Sequence, residues 1–204
     1  MEHGHCGILK KQSVDNDATL EVLSKVALSH GQAGADLIGS SDMMDGRIRA
    51  IRTTLDEHNF KELPILSYAA KYSSSFYGPF REAAQSTPSF GDRKTYQMDY
   101  HKSREALKEV QMDIEEGADM VMVKPALSYL DVIKSVKDNT SVPVAAYSVS
   151  GEYALIKSGA AAGLIDEYGL MCETATSIFR SGADILISYY SKELAEAIEK
   201  GDIG

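Results

Sequence analysis

Two lysines close two short apolar runs. Met120-Val121-Met122-Val123 leads into Lys124, with Pro125 after it, and Leu63-Pro64-Ile65-Leu66-Ser67-Tyr68-Ala69-Ala70 leads into Lys71. Each run has the length and composition of a strand buried on both faces, so each lysine stands at a strand end. The proline after Lys124 stops its strand and leads the chain away. An ammonium among apolar groups is costly, so its pKa tends to fall and the neutral amine becomes a nucleophile. One such lysine, taken alone, reads rather as a stem lying along the strand with its charge in water. Two at matching places point to carbonyl chemistry. One amine can condense with a ketone to give a Schiff base, an electron sink for making carbon–carbon or carbon–nitrogen bonds. A neighbouring ammonium lowers its pKa by like-charge repulsion.

Other strand ends supply hydroxyls: Ser41, Tyr147 with Ser150, and Tyr189. In a parallel barrel the chemistry sits at the C-terminal ends of the strands. Residues 72–97, after Lys71, are rich in Ser, Gly, Pro and aromatics and show no period. Loops this long inside a compact domain are commonly functional, so the stretch reads as an active-site lid. It carries Arg81, Arg93 and Lys94, which could bind carboxylates, the arginines in bidentate fashion. The plain alternative is a solvated basic loop. Taken together, these residues describe a class I aldolase-like enzyme acting on a small keto acid.

The elements that must position these groups alternate. Asp15, Asn16 and Asp17 offer caps for a helix with Leu20, Leu23, Val26, Ala27 and Ala33 at helical spacing, ending at Gly34. A strand over 35–41 follows, then a helix opening at 42–45 with Ile48, Ile51 and Leu55 on one face, then the Lys71 strand. Helices are predicted over 103–116, 127–138, 152–162, 166–180 and 192–200, and strands over 142–147 and 183–189. Gly-Ala-Asp recurs at Gly34, Gly117 and Gly182, each after a helix and before a strand, as an αβ turn with glycine at the helix C-cap. This alternation implies a parallel sheet with helical crossovers in one domain over 1–204. Five strands are counted, and a complete (β/α)₈ barrel typically needs about 250 residues.

The chain has 204 residues, 44% hydrophobic and 25% charged, the composition of a soluble globular protein. A net charge of −9 argues against a nucleic-acid surface, so an anionic substrate would need a local basic patch. No run of 18 apolar residues exists to span a membrane, and the first residues lack a signal-peptide layout. Cys6 and Cys172, far apart, fit a reducing cytoplasm rather than a disulfide framework. Cys172 reads as packing. Cys6, beside His3 and His5, could belong to a metal site, but zinc needs three or four ligands in place.

Longer motifs carry a family resemblance. Ser-Asp-Met-Met-Asp-Gly-Arg at 41–47, Ser-Ser-Phe-Tyr-Gly-Pro-Phe-Arg-Glu at 74–82, Gly-Asp-Arg-Lys at 91–94, Met-Val-Lys-Pro at 122–125 and Val-Ser-Gly-Glu-Tyr-Ala at 149–154 resemble the porphobilinogen synthase (5-aminolevulinate dehydratase) family, from His3 almost to the C-terminus. That family joins two 5-aminolevulinate molecules into porphobilinogen in tetrapyrrole (haem) biosynthesis. The resemblance implies an α/β fold of the (β/α)₈ TIM-barrel family, here with about five of eight strands, the N-terminal arm and first three strands being absent. It implies that Lys124 forms the Schiff base with the substrate that becomes the propionate side of the product, and that Lys71 engages the other substrate. Ser150 and Tyr189 would hold the first substrate's carboxylate, and Arg81, Arg93 and Gln97 that of the second. Ser41 would lie near the second substrate's amino group and Tyr147 beside the Schiff base. In zinc-using members Cys6 matches the third of three cysteines, the other two standing on the preceding strand. In some members a glutamate matching Glu109 binds an allosteric magnesium between subunits. A cytoplasmic homo-octamer without an organic cofactor is implied. The chain thus reads as the C-terminal portion of such an enzyme, inactive when isolated. The alternatives are a non-catalytic truncated remnant that at most associates with full-length subunits, and a class I aldolase of different substrate.

Overall fold

The structure, a computed structural model, describes residues 3–203. In chain order it has a hairpin of β1 (Leu9–Lys10) and β2 (Ser13–Val14), then α1 (Asn16–Gln32), β3 (Ile38–Ser40), α2 (Arg47–Glu57) and β4 (Ile65–Lys71). A 3₁₀ turn (Ser75–Tyr77) and α3 (Gly78–Ala83) come next, followed by α4 (Arg104–Glu115) and β5 (Met120–Lys124). A second 3₁₀ turn (Leu127–Tyr129), α5 (Leu130–Asp138), β6 (Val144–Ser148), α6 (Ser150–Ala161), α7 (Glu167–Arg180), β7 (Ile185–Ser188) and α8 (Ser191–Lys200) complete it. Strands β3 to β7 follow one another in a single sheet in chain order, with β3–β4 and β6–β7 parallel. This is the strand–helix alternation of a (β/α)₈ barrel with five strands present. No helix among the described residues is long and apolar enough to cross a membrane.

The chain groups into two compact units. One holds everything up to Ser73 together with Ser86–Met122; the other holds Ser74–Gln85 and the chain from Val123 onward. The stretch read as a single lid is therefore divided, with 74–85 in the second unit and the rest in the first. Its first third is ordered as the 3₁₀ turn and α3, where Ser74 caps the turn by accepting from the Phe76 N–H (3.1 Å) and Pro79 sits in the first turn of α3.

In the first unit the face of α2 runs as predicted, with Ile48, Ile51 and Leu55 fully buried. The face of α1 differs. Its buried residues are the small ones, Thr19, Ser24, Ala27 and Gly31, while Val26 is exposed. Small side chains let α1 lie close on its neighbours, and a Cβ on Gly31 would meet Leu63 at 3.0 Å. The helix predicted to open at 42–45 starts at Arg47, because the Asp42 carboxylate accepts from the Met44 N–H (2.9 Å) and holds the chain in a turn. In the second unit Ile156, Met171, Ala175, Tyr190, Leu194, Ala197 and Ile203 form one apolar cluster beneath α6, α7 and α8.

The three Gly-Ala-Asp turns are built alike. Gly34, Gly117 and Gly182 have φ of 90°, 107° and 113°, where glycine alone is unstrained. The alanine N–H reaches back to the helix at His30 (3.1 Å), Asp113 (2.9 Å) and Ile178 (3.4 Å), closing Schellman turns. In two of the three the aspartate also latches the neighbouring strand. Asp119 accepts from the Ile65 N–H at 2.8 Å and donates its own N–H to the Ile65 carbonyl at 3.0 Å. Asp184 does the same with Val144, at 2.8 and 2.8 Å. These latches set where β4 and β6 begin, and thereby where their functional ends fall.

Candidate active site

Lys71, Ser41, Arg93, Gln97, Cys6 and Glu109 lie in the first unit; Lys124, Arg81, Ser150, Tyr147 and Tyr189 lie in the second.

Lys71 ends β4 only 7% exposed. Its amine donates to the Ser41 carbonyl, so Ser41 engages the lysine through its backbone while its side chain lies in an exposed position. Burial pushes the Lys71 pKa below the ordinary value, Cys6 pulls it up, Arg93 pushes it down, and Asp42 and Arg47 then oppose each other. The carbonyl of Lys71 accepts from the Met98 N–H (3.0 Å) and the Ser73 N–H donates to the Met98 carbonyl (2.8 Å). The far end of the 72–97 stretch is thus returned to the end of β4, which carries Arg93 and Gln97 back toward Lys71.

Gln97 is 3% exposed, and neither end of its amide has a hydrogen-bond partner among the described residues. A buried amide left open in this way is shaped for a ligand or an ordered water. Arg93 is committed differently from the prediction, since one of its terminal nitrogens donates to the Gly4 (2.7 Å) and Ser86 (2.6 Å) carbonyls.

Sequence reasoning missed the support beneath Lys71. Arg47 and Asp113, 66 residues apart, form a bidentate pair at 2.9 and 2.7 Å, and the Ser67 hydroxyl donates to the same carboxylate at 2.6 Å. Asp42 accepts from the Ser40 hydroxyl (2.7 Å), with the Arg47 Nε 3.6 Å away. This network fixes the Ser40–Asp42 turn whose carbonyl holds Lys71. Arg47 and Asp42 stand within the 41–47 motif, which is the signal that could have found them; Asp113 stands in none of the motifs.

Cys6 is half-buried and unpaired, and its N–H donates to the Tyr96 hydroxyl (3.3 Å). The two ring nitrogens of His5 face the Tyr96 hydroxyl and the Phe90 carbonyl, both at 3.0 Å, so this histidine is already occupied. No three His, Cys, Asp or Glu among the described residues gather around one point. Cys6 and its neighbours therefore do not by themselves compose a zinc site. Glu109 has its pKa raised by burial and then by Asp113, and it lines a cavity of about 770 Å³ with Asp45, Gln97, Lys102 and Lys108. Asp45, Asp99 and Glu105 line the same cavity, but no three carboxylates among the described residues gather around one point, so Glu109 and its neighbours do not by themselves compose a magnesium shell.

In the second unit Lys124 ends β5 half-buried between two rings. Its amine is 4.1 Å from the centre of Tyr147 and 5.4 Å from that of Tyr77. The Tyr77 hydroxyl donates to the Lys124 carbonyl (3.2 Å), and Arg81 stacks on the same Tyr77 ring at 5.5 Å. Ser150 is buried at the start of α6, where its hydroxyl accepts from the Phe80 N–H at 3.1 Å. Ser150, Tyr189, Tyr153, Lys157, Pro79 and Phe80 line an apolar-walled cavity of about 640 Å³. The unit thus offers an amine against two aromatic rings and a largely apolar pocket whose lining includes the hydroxyl-bearing Ser150 and Tyr189. Tyr77 and Glu152 are the groups that sequence reasoning did not assign here; Glu152 was legible only as a residue at the start of a helix.

The profile of the family described as delta-aminolevulinic acid dehydratase matches residues 1–197. A protein of that name from Synechocystis sp. is 57% identical over 201 residues, covering 97% of this chain and 62% of its own length. Another from Methanothermus sociabilis is 57% identical over 197 residues, covering 97% of this chain and 61% of its own length. The crystal structure of delta-aminolevulinic acid dehydratase (porphobilinogen synthase) from Toxoplasma gondii ME49, in complex with the reaction product porphobilinogen, superposes with a TM-score of 0.95 at 47% identity, covering 98% of this chain and 58% of that one. The chain spans about three fifths of the length of the curated relatives it matches.

Proposed function

The chain belongs to the delta-aminolevulinic acid dehydratase family, and from that membership we propose that it carries the two lysines of a porphobilinogen synthase, a lyase that condenses two 5-aminolevulinate molecules to porphobilinogen with loss of two waters. In this reading the neutral Lys124 amine attacks the ketone of one substrate, and the carbinolamine loses water to an imine. Tyr147 lies against the amine, and the Tyr77 hydroxyl holds the Lys124 backbone, so the nucleophile is aimed before substrate arrives. Ser150 and Tyr189 take the carboxylate of that substrate. Lys71, its pKa lowered by burial, engages the second substrate, whose carboxylate goes to Arg81, Arg93 and Gln97. The open amide of Gln97 is available for this without loss of an existing bond. Arg93 would exchange carbonyl partners for the carboxylate, and Ser41 contributes the carbonyl that steadies Lys71.

What carries the reading is the Lys124 amine at 4.1 Å from the Tyr147 ring, in the same unit as a pocket lined by Ser150 and Tyr189. Zinc through Cys6 and an allosteric magnesium at Glu109 belong to the proposal only as ions whose remaining ligands come from other groups. Assembly as a homo-octamer in the cytoplasm belongs to it likewise. The test is pyrrole formation from 5-aminolevulinate, followed colorimetrically in the assembled protein. Lys124→Ala is expected to abolish it, and undiminished turnover by that variant would overturn the reading.

A further inference from the structure

Glu152 is 2% exposed, and it has no ion-pair partner among the described residues. Burial raises its carboxyl pKa, and only backbone N–H groups of Val149, Leu127 and Ala126 pull the other way. An isolated buried carboxylate is expensive unless its hydrogen bonds do something an apolar residue could not. Part of the answer is local. Glu152 is the third residue of α6, and its Oε2 accepts from the N-cap Val149 N–H at 2.5 Å, half of a capping box. Helix capping accounts for that oxygen alone. The other, Oε1, leaves the helix and accepts from the Leu127 N–H at 2.5 Å.

The two partners are well placed. Leu127 is three residues past Lys124, and Val149 immediately precedes Ser150. One carboxylate therefore ties the chain leaving β5 to the chain leaving β6. The segment 76–80 braces the same two places: the Tyr77 hydroxyl holds the Lys124 carbonyl, and the Phe80 N–H meets the Ser150 hydroxyl. Gly151 makes that bracing possible, since a Cβ there would stand 2.4 Å from the Phe76 carbonyl oxygen.

We propose that Glu152 is a positioning residue that sets the separation of Lys124 and Ser150 by holding the Leu127 and Val149 amides on one carboxylate. The proposal rests on the reading that Lys124 is the imine-forming lysine and Ser150 a carboxylate ligand. It extends that reading to a residue that touches neither substrate.

Glu152→Asp separates this role from capping. Aspartate at the third helical position still fits the capping-box pattern, but its side chain is one methylene short of Leu127. The variant is expected to keep the wild-type helical circular dichroism, to exchange the Leu127 amide proton at least tenfold faster, and to form the borohydride-trappable Lys124 adduct with 5-aminolevulinate at least tenfold more slowly at saturating substrate. Half-saturation should change less than threefold. Glu152→Gln, which keeps the length but presents an N–H to one of the two amides, should behave likewise if the aspartate variant folds poorly. Unchanged adduct formation despite faster Leu127 exchange, or unchanged exchange, overturns the proposal. Wild-type protein that forms no Lys124 adduct overturns instead the reading of function. The tie is then judged without substrate, by acetic anhydride labelling of Lys124 timed against the exposed Lys134. A change of at least threefold in Glu152→Asp sustains it, and an unchanged ratio overturns it.

Discussion

Replacing Arg47 by methionine would leave the Asp113 carboxylate buried with its charge unanswered. The side chains of the two residues are 3% and 4% exposed, so solvent screening gives no relief. Two charge-assisted bonds, at 2.9 and 2.7 Å, are lost together. Removing one partner of a buried pair costs about 3–5 kcal/mol, because the remaining charge stays desolvated. For a chain of this size that corresponds to a fall in melting temperature of roughly 6–20 °C. Replacing both partners, as Arg47→Met with Asp113→Leu, should recover much of the loss, since a well-packed apolar pair can match a buried ion pair. The Lys134–Asp138 pair on α5 supplies the contrast. Its side chains are 58% and 52% exposed, and Lys134→Ala should cost no more than about 0.5 kcal/mol. Urea unfolding of the four proteins, followed by circular dichroism, measures all of this. An Arg47→Met variant within about 1 kcal/mol of wild type would refute the reasoning, because a buried carboxylate left unpaired must cost more than a surface one.

Competitive acetylation of Lys71 across pH should give a midpoint below the ordinary lysine value of 10.5, since burial is the largest influence on it. The unfolded chain then holds a proton that the folded chain has released, so stability should rise with pH between the folded and unfolded values, and Lys71→Met should remove that slope. A midpoint at or above the ordinary value would contradict the burial argument. Gly151→Ala should destabilise by about 1–3 kcal/mol, the range for overpacking, as its new methyl displaces the Phe76 carbonyl. It should also speed exchange of the Phe80 amide, and unaltered exchange would show that the 76–80 segment does not depend on this contact.

The strands and helices that were legible pair an apolar run or a clear period with a punctuating residue. The recurring Gly-Ala-Asp announced three turns, and its glycines have the positive φ expected. What the triplet did not announce was the aspartate latch onto Ile65 and Val144, a contact between residues 54 and 40 positions apart. The β1–β2 hairpin was missed because two-residue strands carry no alternation, and Lys11, at φ 61°, is not a residue that signals a left-handed turn. Part of 72–97 passed for loop because α3 is too short to show a helical period, although Pro79 after Gly78 was a legitimate helix-start signal. At the site the lysines were visible through their place at strand ends. Their supports were not: Arg47 with Asp113, and Glu152 with Leu127, are pairings across elements that spacing along the chain does not encode.

Lys124 is the residue on which the proposed chemistry turns. Borohydride reduction of the protein in the presence of 5-aminolevulinate, followed by peptide mass mapping, reads the imine directly. The reduced adduct is expected on the peptide that contains Met120 to Pro125, at Lys124. Adduct confined to Lys71, or found on neither lysine, would contradict the assignment of the Schiff base.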